Sequence, residues 1–361
     1  MKRFFTICLA AMLMLALLAG CGGSNPPANS PQGSQTPANT PNSPSPSPET
    51  PANTPDSPPP SPAEPVNIRL GGLKGPGGMG MVKLLDDAEN GLTQNTYEYF
   101  YGSSPDELTP KFLQGELDII GIPANMAAIL YNNTAGGAKM LAITAAGIMY
   151  IVEKGGEEIQ TVADLKGQEM YSTGKGSTAE FALRYLFTEN GLHPNDDVSI
   201  EWIVGPTEIV AAMAAKDHAI AMLPQPFVTV ALTQVPDLRV ALDLDAEWKA
   251  LGTASQFLTT VFIVRSEFAE NNPEAVDIFL EELTVSTDYV KANPPEAAAL
   301  IEKYGIIAAP IAEKALPACN LVSTYGAEMK PIMKSYLEVI YEQNPASVGG
   351  TLPADDFYYG S

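Results

Sequence analysis

Residues 24 to 65 set the limits within which this chain can fold. They are mostly Pro, Ser, Thr, Asn and Ala with almost no large apolar side chain, and 15 of the chain's 32 prolines lie there. Such a segment cannot bury a core and reads as an extended, semi-rigid spacer. The fold must therefore come from residues 66 to 361, about 300 residues, enough for one large or two ordinary domains.

The residues before the spacer set its compartment. Lys2 and Arg3 lead a run from Phe4 to Leu18 that is apolar apart from Thr6 and ends in Leu18-Ala19-Gly20-Cys21. The run is short for a membrane span and has the charged flank of a secretory signal. Small residues before a cysteine resemble the lipobox of bacterial lipoproteins. The expectation is a signal over residues 1–20, lipidation of Cys21, and residues 21–65 as a disordered linker holding a folded body at the extracytoplasmic face of the cell membrane.

Charge and cysteine usage narrow the function classes. With 42 acidic against 20 basic residues and a net charge of −22, nucleic acid is an unsuitable partner. Cys8 leaves with the signal and Cys21 takes the lipid, so Cys319 stands alone, reads as a small buried hydrophobe, and no intramolecular disulfide is expected. His193 and His218 lie in loop sequence without a second His or Cys at metal spacing, so neither a metal site nor a catalytic triad is expected.

From Val66 onward strand and helix signals alternate. Val66 to Leu70 alternates apolar and polar; a glycine loop follows; Met79 to Glu89 places Met81, Leu84, Leu85 and Ala88 on one helical face. Gln94 to Tyr101 reads as a strand, Ser103 to Glu107 opens a helix, Asp118 to Ile122 is a strand, Pro123 to Leu130 a helix, and Met140 to Ala145 a strand. This is the βαβαβαβ order of a parallel sheet covered by helices. A second such run follows: a one-turn helix at Thr161 to Gly167, a strand at Glu169 to Tyr171, a glycine loop at Ser172 to Gly176, and a helix from a capping box at Ser177-Thr178-Ala179-Glu180, stopped by Gly191. Strands at Val198 to Val204 and Ala219 to Leu223 alternate with further helices. After a strand at Thr259 to Val264 only helical patterns are read.

Gly75-Pro76-Gly77-Gly78-Met79-Gly80 is a literal G-x-G-x-x-G between a strand and a helix. A dinucleotide site also needs an acidic residue at the tip of the second strand, to hold the ribose hydroxyls. Here that strand ends Tyr99-Phe100-Tyr101-Gly102-Ser103, with Glu98 in its middle, and no cofactor is expected. The glycines still imply close approach of a ligand to backbone N–H groups.

The order Asp164-Leu165-Lys166-Gly167, Gly176-Ser177, Gly191-Leu192, then Ala219 to Leu223 and Pro226, resembles the solute-binding proteins of ABC importers, in the branch that handles sulfonates, taurine, nitrate and the thiamine-precursor pyrimidine. Asn293-Pro294-Pro295-Glu296-Ala297-Ala298 fits the same order, Leu113 to Ile119 follows its L-x-x-G-x-x-D with Gly115 and Asp118 each one residue early, and the likeness covers about residues 66 to 345. The resemblance implies a type II periplasmic binding protein: an α/β fold of two lobes joined by two crossover strands, with a helical C-terminal part. Lobe 1 would be 66–148 plus 265–361 and lobe 2 149–264, with Gly147 to Glu153 and Thr259 to Val264 as the crossovers. It also implies a small-molecule solute, ABC permease and ATPase subunits as partners, a monomer, and no enzymatic activity.

Within that architecture the ligand is expected between the lobes. Gly77, Gly78, Met79, Ser103, Ser104 and Asn125 would line it from lobe 1, Gly176, Ser177, Thr178 and Gln225 from lobe 2, and Tyr150 from the crossover. Tyr101, Tyr171 and Phe227 are further aromatic faces, and Lys74 and Lys175, the cations of the two glycine loops, are expected to be solvated. A sulfonate or nitrate would use the N–H groups and hydroxyls, a pyrimidine the aromatic faces. Two other readings stay open: an enzyme like the fungal pyrimidine synthases on the same fold, and a sensory or adhesive surface lipoprotein.

Overall fold

The structure, a computed structural model, describes residues 64–360; the expected signal, Cys21 and nearly all of the spacer lie outside the described residues. Eleven strands are formed among them: β1 (Asn67–Leu73), β2 (Thr96–Gly102), β3 (Ile119–Pro123), β4 (Ala138–Ala146), β5 (Met149–Lys154), β6 (Glu169–Ser172), β7 (Ser199–Trp202), β8 (Ala219–Pro224), β9 (Leu238–Asp243), β10 (Leu258–Arg265) and β11 (Leu321–Tyr325). They make two sheets, ordered β11-β4-β10-β3-β1-β2 and β7-β6-β8-β5-β9. Each sheet is the floor of one α/β lobe.

Sequence character follows sheet position. β3, Ile-Ile-Gly-Ile-Pro, is central and almost wholly buried, as a continuous apolar run requires when both faces are covered. β2, rich in Tyr, is the sheet edge and half exposed. The parallel reading holds for β1 with β2 and β3, and for β6 with β7 and β8. It fails for the centre of the first sheet, where β10 runs antiparallel between β3 and β4. The strand expected at Thr259 to Val264 is thus a full member of the first sheet, and the chain returns from the second sheet ahead of it. β9, the helix Leu244–Ala250 and the edge strand β11 were not anticipated; β11 in particular corrects the expectation of helices alone after β10.

The helices start where the caps allow. Ser177 caps Thr178–Glu189 by accepting from Ala179 N–H at 3.3 Å. The Glu180 carboxylate, expected to complete a capping box, accepts instead from Gly176 N–H at 2.7 Å. A reciprocal box forms at Thr161 and Asp164. The Gln160 N–H, with the Thr161 hydroxyl and N–H, holds the Asp164 carboxyl below the usual range. Gly191, at φ +76, takes the left-handed position past the helix end.

The core runs across both sheets. Trp248 is fully buried, stacks on Phe257 at 5.5 Å between ring centres, and touches Tyr185 of the second lobe and Tyr336 of the helix Gly326–Gln343. The C-terminal segment folds back onto the first lobe. Tyr359 N–H donates to Met140 O, and Asn132 Nδ2 donates to both Val348 O and Thr351 O.

Cys319 is fully buried with its sulfur 3.9 Å from that of Met79, and burial pushes its thiol up to about 12. In a chain whose first two cysteines are replaced, a thiol reagent at pH 8 is expected to label Cys319 about a hundredfold more slowly in the native than in the urea-unfolded state, since labelling must await opening. Equal rates would contradict this burial.

Candidate functional site

Parallel register brings the strand ends of each lobe to one level. Leu73 of β1 pairs with Gly102 of β2, so the loops from Lys74 and Ser103 leave side by side, and Lys74 N–H donates to Gly102 O at 3.1 Å. In the second sheet Ser172 of β6 sits between Trp202 of β7 and Met222 of β8. The carboxyl ends of open parallel strands are where such folds leave a crevice.

A cleft of about 400 Å³ lies there, within the range of small-molecule sites. The first lobe lines it with Leu73 at the end of β1 and Lys74 to Gly77 beyond it, Ser103 to Asp106 after β2, Pro123 at the end of β3, and Thr259 and Thr260 of β10. The second lines it with Thr173 to Lys175 and Ser177 to Ala179 after β6, Trp202 at the end of β7 with Ile203, Val204 and Pro206 beyond it, and Pro224 at the end of β8 with Gln225 and Phe227 beyond it. Ile148 and Met149, where the chain passes between sheets, line it as well. A second cavity, about 500 Å³, lies beside Ala146, Asp245, Lys249, Lys291 and Asn320, but both of its lysines already face carboxylates.

Of the residues expected at the ligand, Gly77, Ser103, Ser104, Ser177, Thr178 and Gln225 line the cleft. The other five do not. Met79 is fully buried and points into the first-lobe core against Cys319. Gly78 is buried under Tyr101, whose hydroxyl donates to Gly78 O at 2.9 Å, and an added Cβ would stand 2.3 Å from Leu73 O. Tyr150 follows Met149 on β5, and alternation turns it to the opposite face, where it packs on the second-lobe cluster. Burial, with the Asp243 carboxylate nearby, pushes its phenol up to about 12.

Asn125 and Gly176 instead join the lobes. Asn125 is fully buried; its N–H donates to Thr178 Oγ1 at 3.2 Å, its Nδ2 to Gly176 O and Ser347 O at 3.1 Å each, and its Oδ1 accepts from Thr178 Oγ1 at 3.3 Å. The amide that read as a helix cap is a hydrogen-bonded tie between the first lobe, the second glycine loop and the C-terminal segment.

Trp202, Ile148, Met149, Thr259 and Thr260 line the cleft without having been singled out. Trp202 could have been found by asking what stands at the end of the strand read at Val198 to Val204. The threonines could not, because β10 reaches the cleft only by inserting between β3 and β4.

Two α/β lobes with a cleft at the strand ends are the architecture of the two-lobe fold seen in periplasmic binding proteins. The chain belongs to the NMT1-like family, which it matches over residues 88–304. It is 25% identical over 177 residues to a protein of Brucella abortus (strain 2308) named only as a binding protein, covering 48% of this chain and 52% of that one. The chain thus spans about half the length of the curated relatives it matches. In structure it is similar to an ABC transporter protein from Parabacteroides distasonis, with a TM-score of 0.67 and 23% identity over 81% of this chain and 98% of that one. It is also similar to the periplasmic aliphatic sulphonate binding protein of Escherichia coli, with a TM-score of 0.64 and 18% identity over 79% and 91%. The periplasmic nitrate-binding protein of Synechocystis PCC 6803 gives 0.57 and 15% over 81% and 83%. These likenesses show the fold.

Proposed function

We propose that the chain is an extracytoplasmic solute-binding lipoprotein, which captures a small organic solute or oxyanion between its lobes and delivers it to the permease and ATPase of an ABC importer. The observation that carries the reading is the cleft itself, built from the carboxyl ends of parallel strands in both sheets and open to solutes from outside. Gly77, Ser103, Ser104, Ser177, Thr178 and Gln225 are the proposed contacts, and Cys21 the proposed anchor. The body would act as a monomer, with 147–148 and 251–257 as the segments between lobes.

The enzyme reading finds no cysteine or histidine in the cleft lining among the described residues. Cys319 is in the core, and His193 is exposed beside Asp196 with 2.8 Å between Nδ1 and the carboxylate. Neither residue lines the cleft, and nor does His218.

A thermal-shift screen of sulfonates, nitrate, pyrimidines, amino acids and aromatic acids tests the proposal. A ligand at a hundred times its Kd stabilises by about 2.7 kcal/mol, a readily measured rise in Tm, and the ligand should be recovered unchanged. If no small solute raises Tm, the binding reading is wrong; if the solute is turned over, the chain is an enzyme.

A further inference from the structure

The charge of the cleft wall runs against that of the chain. Lys74, after β1, and Lys175, after β6, line it from opposite lobes, and neither ammonium has an ion pair or side-chain hydrogen bond among the described residues. Elsewhere eight lysines hold carboxylates, as an excess of acidic residues would lead one to expect. Asp106 is the one carboxylate in the wall, and it lies beyond ion-pair distance of either lysine.

A buried donor lines the same cleft. Gln225 is 6% exposed; its Oε1 accepts from Thr229 Oγ1 at 2.9 Å, which fixes the amide, and its Nε2 has no partner within the described protein. An amide held in this way turns its two N–H donors toward a ligand. The remaining wall has the flat or apolar faces of Trp202, Phe227, Ile148 and Met149.

We propose, resting on the solute-binding reading above, that Lys74 and Lys175 are the two halves of a cation clamp and that the solute is a flat aromatic acid of one or two rings. Its ring lies against the Trp202 and Phe227 side, and its anionic group takes Gln225 N–H and the ammonium groups. The clamp also makes closure conditional on charge. Two ammonium groups brought together across an empty cleft repel, increasingly as water is excluded, whereas an anion between them reverses the sign of the interaction. A neutral ring of the same shape can enter but does not draw the second lobe in.

Isosteric pairs isolate the charge: benzoate against benzamide, and 2-naphthoate against 2-naphthamide, titrated by calorimetry into the full-length chain, with lobe closure followed by small-angle X-ray scattering. The acid of a pair is expected to bind at least about tenfold more tightly than its amide, as a charge-assisted contact implies. Only the acid should compact the protein, and its affinity should fall with added salt. Lys74→Met and Lys175→Met are each expected to weaken acid binding about tenfold, leave amide binding within about twofold, and keep the parent Tm, since both side chains are exposed. The clamp is overturned if acid and amide bind alike, if both variants bind the acid as the parent does, or if the screen above finds only neutral or cationic solutes. In those cases the solute-binding reading survives; it fails separately if no solute of any class raises Tm.

Discussion

Asp118→Ala is expected to destabilise the body by about 3 kcal/mol, the low end of the cost of breaking a buried ion pair. The Asp118 side chain is 1% exposed and is gripped by two arginines. Its Oδ2 accepts from Arg69 N–H at 3.0 Å and Arg69 Nε at 2.8 Å, and its Oδ1 accepts from Arg69 Nη2 and, at 3.2 Å, from Arg265 Nη2. The backbone on either side is bound to the same partners: Asp118 N–H donates to Arg69 O, and Arg265 N–H donates to Asp118 O. Three strands of the first sheet, β1, β3 and β10, are therefore tied at one residue. The arginine side chains are 35% and 22% exposed, so each can recover some hydration when the carboxylate is lost, which is why the low end applies. A fall in Tm of about 6 °C or more, with an unchanged urea m-value, is the expected readout. Lys111→Ala, which breaks the exposed pair with Glu116, should stay within about 0.5 kcal/mol. If Asp118→Ala is as mild, the tie does not hold the strands.

The second large effect lies in the glycine loop. Gly78→Ala is expected to cost about 3 kcal/mol, the upper end for overpacking, because the new methyl would meet Leu73 O at 2.3 Å and Tyr101 Cε1 at 2.8 Å. The first of these is backbone, already accepting from Gly75 N–H at 2.8 Å, and cannot turn aside as a side-chain tip can. Gly75→Ala, by contrast, should stay within about 0.5 kcal/mol: its φ of −166° suits any residue, and nothing lies within 4 Å of an added Cβ. A nucleotide fingerprint would rank them in reverse, since Gly75 is its first glycine and Gly78 one of its variable positions. Urea unfolding of the two variants decides between the rankings.

That contrast shows where the sequence was readable. Glycine density at 75–80 announced close packing of the backbone, but composition could not say whether a ligand or Tyr101 does the packing. Strands with strong alternation or continuous apolar runs were legible because burial of a pleated face dictates them. β11, five residues and half exposed, carries too little of either signal. The order of strands was hidden for another reason: β10 lies between β3 and β4 through contacts more than a hundred residues apart in sequence. The same distance explains the site. Loop residues at strand ends were found by rule, whereas Asn125 met partners 51, 53 and 222 positions away, and a polar side chain in a helix start looks the same whether it caps or crosses.

The interleaving of β10 has a consequence for how the protein is made. The second sheet is contiguous, β5 to β9 in unbroken order, and can close on itself as soon as it leaves the ribosome. The first sheet, begun earlier, must wait: until β10 emerges, β3 and β4 have no strand between them, and their unpaired edges stay open to any passing chain. The half synthesised first is thus the half completed last, and it is the half that would need a chaperone's protection until β10 arrives.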